Sequence, residues 1–152
     1  MAQILIVEDD PHSARVLRCL LRSGGYDEVI TSLDADDILL RCQSGAVDLA
    51  VLDVSLTGCK LDGKLIDGVG LCQRIKRSTG DRPVPVILVT ANAMRGDAER
   101  LLRESGADDY VSKPIQDHDG LLLLVADHLA KAQEAACGRM LHCRAGFQPA
   151  VP

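Results

Sequence analysis

The chain has 152 residues, enough for one domain with a substantial core, and its 47% apolar share makes disorder an unsuitable description. With two Tyr, one Phe and no Trp, the core must be built from Leu, Val, Ile and Ala. A net charge of −5 without a basic stripe argues against direct nucleic-acid binding, and no apolar run approaches membrane-spanning length.

The six cysteines are Cys19, Cys42, Cys59, Cys72, Cys137 and Cys143. No two sit two residues apart, so zinc-ribbon and redox spacings are absent. Four fall in apolar helical or loop contexts, where a free thiol acts as a small hydrophobe. The segment Met1 to Val7 is too short for a signal peptide, and Glu8-Asp9-Asp10 follows at once. A reducing cytoplasm is the expected location.

In chain order, short apolar runs alternate with longer amphipathic ones. Gln3 to Val7 reads as a strand buried on both faces. Asp10-Pro11 then opens a helix, with Asp as N-cap and Pro at the first helical position. Ala14, Leu17, Leu20 and Leu21 keep helical spacing, and Gly24-Gly25 ends it. A short strand near Glu28 to Thr31 and a helix over Ala35 to Gln43 follow, then a second apolar strand from Val47 to Asp53. After a long Gly-containing loop, Val69 to Arg77 is helical. Pro83 and Pro85 lead into a strand, Val86 to Thr90, and Arg95 to Glu104 forms a helix closed by Gly106. A brief strand at Asp109 to Val111 ends in Ser112-Lys113-Pro114, and the last helix spans roughly Asp117 to Ala136. Alternating strands and helices of this kind predict a doubly wound α/β domain with a parallel sheet. Residues 1–136 form that domain, and 137–152 read as a short, flexible extension.

Ligands of such sheets bind beyond the carboxyl ends of the strands. Those ends carry Glu8 and Asp9, then Asp53, then Thr90, then Lys113. Carboxylates brought this close repel and raise each other's pKa values, a cost that a hard divalent cation relieves. Mg²⁺ suits the set, because it takes oxygen ligands and is usually held by one or two carboxylates plus a phosphate. With the cation bound, Asp53 can act as a nucleophile toward a phosphoryl donor. Lys113 would supply a second positive charge, and the Thr90 hydroxyl a donor to a phosphoryl oxygen.

Four strings carry a family resemblance. Ile4 to Pro11 resembles the opening of receiver domains of two-component signalling, and Asp53 ends the third strand, where the family's phosphoacceptor stands. Thr90-Ala91-Asn92-Ala93-Met94 looks like the segment headed by the switch Thr, and Gly106 to Ile115 is similar to the closing signature. The resemblance covers about residues 3–130. It implies a flavodoxin-like fold: five helices around a five-stranded parallel sheet in the order 2-1-3-4-5. It further implies that Asp9 binds Mg²⁺ directly and Glu8 through water, while Asp53 and the backbone carbonyl of Ser55 complete the protein ligands. Thr90 would move toward the phosphoryl group and Tyr110 would swing inward. The surface of the fourth helix, fifth strand and fifth helix would change accordingly. Lys113 would pair with the phosphoryl group, and the bond to Pro114 would be cis. The implied partners are a histidine kinase or phosphotransfer protein and an unknown downstream protein, with a homodimer allowed. No enzymatic activity is expected beyond self-phosphorylation and autodephosphorylation at Asp53. Met1 with almost no leader favours a stand-alone regulator, while Arg95 to Asp109 resembles receivers attached to hybrid kinases.

Two departures stand out. The loop after Asp53 is long, with Thr57-Gly58 where Pro-Gly is common, and the Asp-Gly that opens the third helix is assigned to Asp67-Gly68 over Asp62-Gly63. Cys59 to Ile66 then reads as an insertion beside the active site, a tolerated surface insertion in preference to one that shapes partner choice or phosphoryl lifetime. Asn92 lies where the family varies side chains that govern dephosphorylation. The tail residues Arg139, His142, Cys143 and Arg144 match no standard ligand set. Two other readings compete. Asp53 to Thr57 comes close to the nucleophile motif of haloacid-dehalogenase-type phosphatases, but Ser55 occupies the place of its second Asp. A pseudo-receiver, binding partners without phosphorylation, is the other.

Overall fold

Residues 2–80, 82–91 and 95–146 are described in the computed structural model of the chain. Asn92, with its suggested influence on dephosphorylation, and residues 147–152 of the extension lie outside them.

Local capping chemistry starts the helices. Asp10 precedes α1 (Pro11–Ser23), where its Oδ2 accepts the Ser13 N–H at 3.2 Å and Pro11 takes the first helical position. Asp34 caps α2 (Ala35–Gln43) in the same way, and Asp67 caps α3 (Gly68–Ser78) by accepting the Gly70 N–H at 2.7 Å. Each such cap contributes about 1 kcal/mol. Helix α4 (Arg95–Ser105) leads into Gly106, whose φ of +75° suits a residue without Cβ. Asp117 accepts the Gly120 N–H at the head of α5 (His118–Gly146).

The strands are β1 (Ile4–Val7), β2 (Val29–Thr31), β3 (Leu49–Asp53), β4 (Lys60–Leu61), β5 (Lys64–Leu65), β6 (Val86–Thr90) and β7 (Asp109–Ser112). Five of them form one parallel sheet in the order β2-β1-β3-β6-β7. With the small β4-β5 pair set aside, this is the expected 2-1-3-4-5 arrangement. Alternate residues of β1 face opposite ways: Leu5 and Val7 join Ile38, Leu71 and Ile75 of α2 and α3, while Ile4 and Ile6 join Leu17, Leu21, Leu121 and Val125 of α1 and α5. Both faces of the sheet are thus covered, which is why its strands read as unbroken apolar runs.

Three features differ from the sequence reading. The segment expected as a surface insertion is a β-hairpin, β4 pairing antiparallel with β5, and its first residue Cys59 is fully buried against the core under α2 and α3. Asp62 and Gly63, with φ of 51° and 79°, form its turn, because two left-handed residues match the twist of a tight hairpin. The last helix does not stop near Ala136 but continues to Gly146, carried by helix-favouring residues such as Arg139, Met140, Leu141, Arg144 and Ala145. Finally, Cys42, Cys59 and Cys72 are buried small hydrophobes as their contexts suggest, whereas Cys19 is exposed on α1.

Candidate functional site

Strand register assembles the site. Val7 lies opposite Leu52, so Glu8 and Asp53 leave neighbouring strands side by side. Asp53 in turn lies opposite Val89, and Thr90 opposite Ser112, which brings Thr90 and Lys113 to the same edge. The Lys113 N–H donates to the Thr90 carbonyl at 2.8 Å, and the Lys113–Pro114 peptide is cis.

One oxygen from each of Glu8, Asp9 and Asp53 lies within 4.8 Å of the others. The Glu8 and Asp53 side chains are 1% and 6% exposed, so their charges are largely out of water. Lys113 Nζ stands 2.9 Å from Glu8 Oε2 and 3.5 Å from Asp53 Oδ1. One ammonium contacts two of the three carboxylates, and the surplus negative charge is what a hard cation with oxygen ligands would neutralise. The donor set therefore fits Mg²⁺ chemically.

The expected mutual repulsion of the acids governs only part of the electrostatics. Burial pushes the Glu8 carboxyl above its ordinary range, offset in part by the Lys113 hydrogen bond, with the Asp53 charge adding to the rise. Asp9 goes the opposite way: a hydrogen bond from the Thr57 hydroxyl holds it below the usual range. For Lys113, burial acts to lower the pKa, but the Glu8 hydrogen bond and the Asp53 and Glu8 charges outweigh it and leave the ammonium raised.

The remaining candidates sit around this centre. The Ser55 N–H donates to Asp53 Oδ1 at 3.2 Å. Thr90 is buried at the end of β6. Tyr110 is partly buried and packs against the core cluster shared with α2 and α3. The start of α3 is pressed onto the backbone of Asp53 and Val54: the Gly68 N–H donates to the Val54 carbonyl at 3.2 Å, and a Cβ at Gly68 would stand 2.1 Å from the Asp53 carbonyl oxygen. That close approach requires glycine. It also settles the two Asp-Gly pairs, with Asp67-Gly68 opening the helix and Asp62-Gly63 turning the hairpin.

One contact escaped the sequence reading. Thr57 donates both its N–H, at 3.0 Å, and its hydroxyl to Asp9 Oδ2. The Thr-for-Pro departure at this position was its only local signal.

An acid trio and a lysine thus meet at the carboxyl edge of a doubly wound parallel sheet, the edge where α/β domains of this class bind their ligands. Residues 4–125 match the response regulator receiver domain family. Response regulator PleD of Caulobacter vibrioides is 36% identical over 116 residues, which make up 76% of this chain but 24% of PleD. The polar-differentiation response regulator DivK of Brucella anthropi is 33% identical over 114 residues, 74% of this chain and 84% of DivK. Among solved structures, the receiver domain of a Pseudomonas aeruginosa sensor histidine kinase is 30% identical with a TM-score of 0.68, covering 86% of this chain and 99% of that one. That domain carries a magnesium ion coordinated in its active-site cleft. The chain belongs to the response-regulator receiver domains of two-component signalling. It spans about a quarter of PleD and most of DivK, and no helix among its described residues is long and apolar enough to cross a membrane.

Proposed function

We propose that the chain is a phosphorylation switch with Asp53 as acceptor and Mg²⁺ as cofactor. The observation that carries this reading is the convergence of Glu8, Asp9, Asp53 and Lys113, from three separate points of the chain, on one sheet edge. The donor is a phosphohistidine of a histidine kinase or phosphotransfer protein. An Asp53 carboxylate oxygen forms the new bond to phosphorus, the bond from phosphorus to the donor imidazole breaks, and the imidazole leaves with a proton. Glu8, Asp9, Asp53 and the Ser55 carbonyl would hold Mg²⁺, which when bound neutralises charge on the phosphoryl oxygens. Lys113 turns from Glu8 to the phosphoryl group, adding a point charge there. Thr90 donates its hydroxyl to a phosphoryl oxygen, Tyr110 follows inward, and the α4-β7-α5 surface changes for a downstream protein or a second copy. Water attack on the adduct returns the carboxylate and inorganic phosphate.

In this reading residues 1–136 are the receiver and 137–152 an extension of it. The free thiols at Cys42, Cys59 and Cys72 suit a reducing cytoplasm.

Intact-mass measurement after incubation with acetyl phosphate, with and without Mg²⁺, tests the proposal. A Mg²⁺-dependent gain of one phosphoryl group, absent in Asp53→Asn, is expected. No gain from acetyl phosphate or from a phosphorylated phosphotransfer domain would make the chain a pseudo-receiver. Rapid donor turnover without an adduct would favour phosphatase chemistry.

A further inference from the structure

Of the three clustered carboxylates, Glu8 and Asp53 are buried and Asp9 is only partly so. Asp9 lies beyond β1, in the turn that leads to α1, where no strand hydrogen bond fixes it. Its carboxylate is nevertheless held, because the Thr57 N–H and hydroxyl both donate to Oδ2. A proline at this position could make neither bond, having no N–H and no hydroxyl.

Thr57 is itself firmly placed. It sits between two core anchors, Leu56 at 7% exposure and Cys59 at 0%. The Ile66 N–H donates to the Cys59 carbonyl at 3.0 Å, closing the hairpin behind that anchor. The backbone of Lys60 pairs with that of Asp34, at the head of α2, in an isolated parallel β-bridge. On the other side, Gly68 ties Val54 to α3. The loop carrying Thr57 is therefore braced by the inserted hairpin rather than left to move in solvent.

We infer that Thr57 is a positioning residue of the cation site: braced by the hairpin, it fixes the Asp9 carboxylate beside Glu8 and Asp53 before any ion arrives. The inference rests on the reading of this cluster as a Mg²⁺ site. A preformed carboxylate spares the ion the entropy of ordering its own ligand, and groups that orient ligands typically alter metal affinity by about 10- to 100-fold when removed.

The test is a calorimetric Mg²⁺ titration, at fixed ionic strength, of the wild type, Thr57→Val and Thr57→Ser. Valine keeps the branched shape and the N–H but removes the hydroxyl, and serine restores the hydroxyl. Circular dichroism and thermal melts without Mg²⁺ report the fold. Thr57→Val is expected to bind Mg²⁺ about tenfold more weakly, with Thr57→Ser within about twofold of the wild type. Should Thr57→Val fail to fold, Thr57→Ala carries the same comparison. Wild-type affinity in the valine variant, or equal weakening in the serine variant, would overturn the positioning role and leave the Mg²⁺ site standing. No Mg²⁺ binding by the wild type would instead overturn the underlying reading of the site.

Discussion

Lys113 is bonded to Glu8 at 2.9 Å although 105 residues of chain separate them. That bond joins the carboxyl ends of the first and last strands of the fold, and it gives a nearly inaccessible carboxylate its counter-charge. Removing one partner leaves the other buried and uncompensated. Because Lys113 is 27% exposed, Lys113→Gln is expected to cost the metal-free protein about 1–3 kcal/mol, between the figures for surface and buried pairs. Adding Glu8→Gln should recover part of the loss. Denaturant unfolding of the four proteins closes the cycle, and strictly additive losses would mean that the bond carries no coupling energy.

The raised Glu8 pKa has a definite sign in the pH dependence. The folded chain binds this proton more tightly than the unfolded chain, so the contribution of Glu8 to stability is full below the ordinary glutamate range. It declines as pH rises toward the folded value. Metal-free wild type should therefore lose ground to Glu8→Gln as pH rises from about 4 toward neutrality. Asp9, with its pKa lowered, acts in reverse: its contribution is present above the ordinary aspartate range and is lost as pH falls through the folded value. Thermal melts in chelator across this interval provide the check. A gap between wild type and Glu8→Gln that is constant with pH would contradict it.

Gly68→Ala should be among the most damaging small substitutions in the chain. The new methyl would stand 2.1 Å from the Asp53 carbonyl oxygen and 2.7 Å from Val54 Cα, both backbone atoms that cannot rotate away. The start of α3 must shift, at an expected cost of about 3 kcal/mol despite the better helix propensity of alanine. Gly70→Ala is the control, since its near neighbours are the Asp67 and Ile66 side chains, which can give way. Its expected cost is under about 1 kcal/mol. Equal denaturation midpoints for the two variants would refute the packing argument.

The thiols should separate by burial. Cys42 and Cys72 have pKa values pushed up to about 11 by burial, and Cys59, also raised by burial, is inaccessible. Cys19 is exposed. In native protein a maleimide reagent is expected to modify Cys19 among these four and to reach the others only on unfolding. Peptide mapping after brief labelling reads this directly, and native labelling of Cys59 would show that the hairpin opens.

Much of this was legible in the residues because the signals are local. Asp10-Pro11 and Asp67-Gly68 announce helix starts through capping chemistry, and the apolar runs at Ile4 to Val7 and Val86 to Val89 announce strands covered on both faces. The edge cluster was readable for a related reason: in a parallel sheet the last residue of each strand has a known destination. The Thr57–Asp9 contact was not readable, because it spans 48 residues and depends on how the loop between is braced. The hairpin did leave a sign that went unused, an Asp-Gly pair between the matching Lys-Leu dipeptides at 60–61 and 64–65. The length of α5 escaped because Arg139, Met140, Leu141, Arg144 and Ala145 favour helix strongly enough to carry it past Gly138.

The same hairpin offers a practical handle. Asp62, Gly63 and Lys64 are exposed at its tip, while Cys59 and the Ile66 N–H hold its base. Lengthening a closed surface loop is cheap, about 0.6 kcal/mol for each doubling. A fluorophore or short epitope grafted at the tip would ride on the loop that follows Asp53 without disturbing the sheet, so that changes around the acid cluster could be read by light.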